Sequence, residues 1–212
     1  MTTFEKKKIL EEITQEIITT GGGPLAAPGV NPVPGEGNPD AEIMFIGEGP
    51  GFNENEQKRP FVGQAGKLLR RTLVENGFTE DEVFITNIVK FRPPENRDPT
   101  PEEIEFFRPL LDKQIATIDP KIIVTLGRYS MYKFLGEGVS ISGVHGEARK
   151  VGKFIIFPMF HPAAALRATR VLRQFEEDFK KLREFVDKKG NSPAQEEVVK
   201  DTIPDSEQLE LI

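Results

Sequence analysis

The sequence predicts an α/β fold: a three-layer α/β/α sandwich around a central four-stranded parallel sheet. Two observations predict it. Four short apolar runs, at residues 41–47 (AEIMFIG), 83–89 (VFITNIV), 121–127 (KIIVTLG) and 154–160 (FIIFPMF), are rich in Ile, Val and Phe and bounded by turn or charged residues, the pattern of strands buried on both faces. Helical patterns fall between them, and strands alternating with helices give a parallel sheet covered on both sides.

The helices follow from local chemistry. Residues 6–19 place Ile9, Ile13, Ile17 and Ile18 at helical spacing, and residues 66–76 repeat Leu68, Leu69, Thr72 and Leu73 before a stop at Gly77. Thr100-Pro101-Glu102-Glu103 is a capping box with Pro at the first helical position, opening a helix that runs to about Ile118. A short helix is expected at 129–135. A long one is expected at 170–188, where Val171, Leu172, Phe175, Phe179, Leu182 and Val186 form one stripe. Residues 21–38, rich in Gly and Pro, read as an irregular connection.

Composition narrows the function. The 212 residues are 37% hydrophobic and 29% charged, an ordinary globular balance that suits one domain. No apolar run approaches the roughly 20 residues needed to span a bilayer, and the first residues lack the pattern of a secretory signal, so a cytoplasmic protein with no membrane partner is expected. There is no cysteine, which excludes disulfides, thiolate metal sites and a cysteine nucleophile. With only two histidines, His145 and His161, no metal site and no cofactor are expected. The net charge of -6 is uneven: residues 191–212 carry -5, whereas residues 149–189 carry +6. A nucleic-acid ligand is therefore compatible with the acidic whole, since the local field over one face decides. Those bases equally suit the solvated face of a helix. The expected organisation is a domain over 1–188 and an acidic tail over 189–212. No exposed heptad demands a partner, so a monomer is expected.

Parallel sheets bind ligands beyond the carboxyl ends of their strands, so the loops after Gly47, Val89, Gly127 and Phe160 are the places to look for chemistry. The first holds Gly47-Glu48-Gly49-Pro50-Gly51, whose glycines allow close backbone approach to a ligand but do not have the dinucleotide spacing. Glu48 can hold a water there, or simply be solvated in a tight turn. Phe61 lies in the polar continuation of that loop, as a stacking face or a core plug. Asn87, inside an apolar strand, must find partners, because a buried unpaired amide costs about 1–3 kcal/mol. Its amide suits the edge of a pyrimidine, or a tie to a neighbouring loop. His161 ends the fourth strand on the same sheet edge.

Together these loops resemble the uracil-DNA glycosylase superfamily, most closely its family 4. GEGPG followed by PFVGQAGKLL, then TNIVKFRPPENRDPTPEE, then HPAAALR are similar to that family's three motifs, in order, over roughly residues 1–187. The resemblance implies a monofunctional DNA glycosylase of base excision repair, which hydrolyses the N-glycosidic bond of uracil in DNA and leaves an abasic site. It implies Glu48 and His161 as catalytic: Glu48 to activate the attacking water, His161 to hydrogen-bond the uracil oxygen as charge develops. Gly49, Glu54, Phe61, Asn87 and Asn96 form the implied uracil-binding set, and Leu166, Arg167 and Arg170 the DNA-binding set, with Leu166 and Arg167 as candidates for insertion into the duplex. A catalytically weak uracil-DNA binding module is the alternative, and a nucleotide-binding α/β protein a third reading.

The sequence departs from the family pattern in two places. Family 4 holds a four-iron cluster on four cysteines, whose positions here are Thr20, Gly23, Phe91 and Phe107. The cluster is expected to be absent, with Phe91 and Phe107 packing into part of its space. Ala165 stands where the family commonly has Leu, which leaves the wedge residue open. No KRRIH-like insertion follows Val89, so the signature of relatives that bond covalently to uracil-DNA is missing. The chain ends Gln208-Leu209-Glu210-Leu211-Ile212, which is similar to the bacterial sliding-clamp pentapeptide. Gln208, Leu209, Leu211 and Ile212 are the expected clamp-binding residues, or an uninteresting terminus.

Overall fold

A computed structural model describes residues 1–191, with side chains through Lys188. Six strands form one sheet: β1 (Glu36–Gly37), β2 (Ile43–Gly47), β3 (Val83–Asn87), β4 (Ile122–Leu126), β5 (Arg149–Val151) and β6 (Phe154–Met159), in the order β1-β3-β2-β4-β6-β5. The four apolar runs are the central strands β3-β2-β4-β6 and pair in parallel. The expectation of a four-stranded, all-parallel sheet needs correction. Antiparallel β1 and β5 close the two edges, so the sheet is six-stranded and mixed. These edges are two and three residues long and joined by backbone pairing, too short for hydrophobic alternation to reveal them. Gly37 lies flat on β3 at φ 135°, where a Cβ would collide with the Val83 carbonyl.

The described residues also form eight α-helices: α1 (Thr3–Thr19), α2 (Phe52–Gln57), α3 (Gln64–Glu75), α4 (Pro101–Ile118), α5 (Arg128–Leu135), α6 (Ile141–Val144), α7 (Pro162–Arg167) and α8 (Thr169–Asn191). Alternation along each central strand divides the core. Met44, Ile46, Ile123 and Ile156 face α1, α4 and α5, while Ile43, Phe45, Val124 and Phe157 face α3 and α8. Phe45 stacks on Phe179 of α8, with ring centroids 5.9 Å apart. Helices thus cover both faces of the sheet, as the sequence predicts. Each such side chain contributes about 1.5–3 kcal/mol when fully buried.

The capping box at Thr100 forms as expected. Thr100 accepts from the Glu103 amide at 3.3 Å, and Glu103 accepts from the Thr100 amide at 2.8 Å. A second box at Thr2 starts α1 three residues before the expected 6–19 span. Among the described residues, no helix is long and apolar enough to cross a membrane. The clamp-like end, Gln208 to Ile212, lies outside the described residues.

Candidate active site

The carboxyl ends of β2, β3 and β6 open into a cavity of about 420 Å³. Glu48, Gly49, Glu54, Phe61, Asn87, Asn96 and His161 all line it, as does Arg167. Two backbone bonds hold this end together. Beyond Asn87 the chain keeps tracking β2's loop, with the Ile88 amide donating to the Gly47 carbonyl at 3.0 Å and the Val89 amide to that of Glu48 at 3.2 Å.

Glu48 follows β2 directly. Its Oε1 accepts from the Tyr129 amide at 3.1 Å, at the start of α5. Gly127 makes this approach possible: at φ 101° it takes a conformation suited to Gly, and a Cβ there would collide with the Glu48 carboxylate. Burial pushes the Glu48 carboxyl up to about 6, with the nearby Asp98 charge adding to the rise and the Tyr129 amide opposing it. A carboxylate with that pKa is ionised at neutral pH yet basic enough to accept a proton from water.

His161 occupies the N-cap of α7, and its Nδ1 accepts from the Ala163 amide at 3.1 Å. That bond assigns the remaining proton to Nε2. Burial and the Arg167 cation push its pKa down to about 4. The ring is therefore neutral at physiological pH and presents an N–H donor.

Phe61 is buried at φ 52°, a left-handed conformation that costs a non-glycine residue of order 1 kcal/mol or more. Its neighbours fix it there. Arg70 donates to the Phe61 carbonyl and the Pro60 carbonyl, both at 3.0 Å, and pairs with Glu36 and Glu80. Glu54 Oε1 accepts from the amides of Val62 at 2.9 Å and Gly63 at 2.7 Å. Glu54 thus spends that oxygen on the loop carrying Phe61. The Phe61 ring lies 5.8 Å from the His161 ring, tilted by 33°.

Asn87 ends β3 with only 1% of its surface exposed, and its Oδ1 has no hydrogen-bond partner. A Cβ on Gly47 would strike both that oxygen and the Phe61 ring. Gly47 is what allows the amide and the ring to meet beside one space. An orphaned buried acceptor costs about 1–3 kcal/mol, and a ligand donor would satisfy it.

The remaining expected residues are more peripheral. Asn96, at φ 54°, accepts from Arg92 Nε at 2.8 Å. Leu166 is 51% exposed and outside the cavity lining, Ala165 is buried, and Arg170 is exposed on α8. Sequence reasoning missed Gly127, Tyr129, Arg70 and Asp98. Only the glycine after a strand carried a signal for any of them.

At the four positions where family 4 carries cysteines, the donor set does not fit a cluster. Phe91 and Phe107 are buried, with ring centroids 5.9 Å apart. Phe106 meets Phe107 edge-on at 5.0 Å and covers Gly23, where a Cβ would collide with it. Thr20 caps α1, its hydroxyl donating to the Ile17 carbonyl at 2.6 Å. Packing of aromatic rings holds the residues that follow α1. Among the described residues, no group of three or more His, Cys, Asp or Glu could hold a metal ion.

Fold and site define a class: an α/β protein with a strand-end crevice lined by a carboxylate, a neutral imidazole, an amide with an unpartnered oxygen and an aromatic ring. The chain belongs to the uracil DNA glycosylase superfamily, whose family model matches residues 34–186. It is 50% identical over 185 residues to the type-4 uracil-DNA glycosylase of Sulfurisphaera tokodaii, covering 83% of this chain and 84% of that protein. It is 48% identical over 171 residues to the type-4 enzyme of Saccharolobus solfataricus (75% and 78%), and 42% identical over 188 residues to that of Archaeoglobus fulgidus (85% and 94%).

Proposed function

We propose that this chain is a monofunctional uracil-DNA glycosylase of base excision repair. It hydrolyses the bond between uracil N1 and the deoxyribose C1′ and leaves an abasic site. The observation that carries the reading is the convergence of Glu48, Phe61, Asn87 and His161 on one cavity, with the Asn87 Oδ1 unpartnered inside it.

The chemistry follows from where charge moves. As the C1′–N1 bond breaks, its electron pair passes to uracil and the sugar becomes oxocarbenium-like. A neutral His161 donates from Nε2 to the uracil oxygen on which negative charge grows, a contact stronger in the transition state than in the ground state. The Asn87 oxygen accepts from the uracil N3–H, and Phe61 stacks on the ring. Glu48 directs a water at C1′; the water oxygen bonds to C1′, and its proton passes to the carboxylate. Everting the base costs a few kcal/mol. Phosphate contacts from Arg167 and Arg170 and insertion of the exposed Leu166 offset that cost. Among the described residues no lysine lines the cavity, which supports hydrolysis without strand cleavage.

A uracil-containing oligonucleotide, treated with the protein and then with hot alkali, tests the reading. Cleavage that falls at least a hundredfold in His161→Ala, the usual cost of one such donor, is the expected result. Tight binding without cleavage would instead make the chain a uracil-DNA binding module. For the terminal Gln208-Leu209-Glu210-Leu211-Ile212 we propose a tether to a bacterial-type sliding clamp, which would raise the local enzyme concentration on DNA. Clamp capture that survives truncation at Gly190 would remove that proposal.

A further inference from the structure

Phe52 opens α2 immediately after Gly51, a residue of the cavity wall. Its side chain belongs to neither hydrophobic core, and 56% of the residue is exposed. One face is covered: the Arg92 guanidinium lies over the ring, 5.2 Å from its centroid. Arg92 is itself oriented, since its Nε donates to Asn96 Oδ1 at 2.8 Å and Asn96 also lines the cavity. Arg92 makes no ion pair with an acid among the described residues. The result is a fixed, half-covered aromatic plate with a cation behind it, at the cavity lip.

We propose that Phe52, backed by Arg92, is a stacking platform for a nucleobase that flanks the uracil. The inference rests on the function proposed above and extends it beyond the everted base. A strand delivering one base into the cavity must carry its neighbours over the lip. There an aromatic face offers stacking that tolerates any sequence, because every base has a π-face. The guanidinium strengthens the plate through the ring's quadrupole and supplies charge complementary to the phosphodiester. A protein partner would seek a wider apolar patch than one ring among charged neighbours.

The test uses three single-stranded oligonucleotides containing uracil: one with both flanking bases intact, one with the 5′ neighbour replaced by a tetrahydrofuran abasic unit, and one with the 3′ neighbour so replaced. Phe52→Ala is expected to lower kcat/KM about tenfold on the intact oligonucleotide, and Phe52→Tyr to restore it. On at least one abasic-flanked oligonucleotide the alanine variant is expected to match the wild type. A loss of equal size on all three, or no loss on any, overturns the platform. If the wild type releases uracil from none of them, the proposed activity fails. Dissociation constants from fluorescence anisotropy on the same oligonucleotides then judge the platform separately, by the same pattern.

Discussion

Two buried phenylalanine sites in this molecule set the same residue in opposite surroundings, one within a core and one, proposed above as a stacking face, beside a cavity. Phe91 and Phe107, the latter on α4, lie ring against ring in the hydrophobic core that also holds Ile13 and Ile17 of α1. Phe61 is equally buried, but its backbone is strained and braced by Arg70 and Glu54, and its ring borders a cavity beside an unpartnered amide oxygen. Burial does not separate a packing ring from a binding ring. What separates them is the polar scaffold: a packing ring needs only volume, whereas a binding ring has to be held in place while one side of it stays empty.

That contrast can be broken by substitution. The largest effect is expected at Glu48. Glu48→Gln removes the proton acceptor and should lower the single-turnover rate about a thousandfold while leaving folding intact; a rate within tenfold of the wild type would show that the carboxylate does not activate the water. Next comes Phe107→Ala, which should cost about 3–5 kcal/mol of stability, read by denaturant unfolding, with excision by the protein that remains folded close to normal. Phe61→Leu should do the reverse. It keeps apolar volume but loses the stacking face, and should lower kcat/KM by about ten- to a hundredfold with a smaller change in stability. If the two variants behaved alike, the distinction between the two regions would collapse.

The pH dependence sharpens the comparison further. With Glu48 titrating at about 6, the rate should rise as pH increases through 6 and then level off. His161, held down to about 4, stays neutral across that range, so the limb should vanish in Glu48→Gln. The smallest effect is on stability. The Glu48 pKa is higher in the folded state than its ordinary 4.5, so the folded state binds this proton more tightly. Its contribution falls as pH rises from about 4.5 to about 6, by about 2 kcal/mol, and is flat beyond. Glu48→Gln should therefore melt higher than the wild type at pH 8, and a lower melting temperature would contradict the burial of charge at this position.

Much of this was legible in the sequence because the signals were local. The four central strands announce themselves as apolar runs, and the capping box at Thr100 marks the start of α4. Strand ends were overshot where pairing stops before apolarity does: the run 83–89 leaves the sheet after Asn87, and its last two residues bond to the loop after β2 instead. The edges β1 and β5 and the six-residue α7 were invisible because they are held by backbone bonds and caps rather than by hydrophobic period. Glu48, Phe61, Asn87 and His161 were found by their place after strands and by motif resemblance. The reading left stacking face and core plug open for Phe61, because neither its left-handed backbone nor its brace by Arg70, nine residues away, shows in the sequence. Nor could it find the Tyr129 amide, which is brought to Glu48 only by the neighbouring strand β4.

The two hydrogen bonds that the Ile88 and Val89 amides donate to the carbonyls of Gly47 and Glu48 have a mechanical consequence. They splice the segment that follows Asn87 to the loop that carries Glu48 into a single rigid splint, so loosening of outer helices shifts both residues by the same displacement and leaves their separation unchanged. Protons on those two nitrogens should accordingly trade with deuterium only when the whole domain opens.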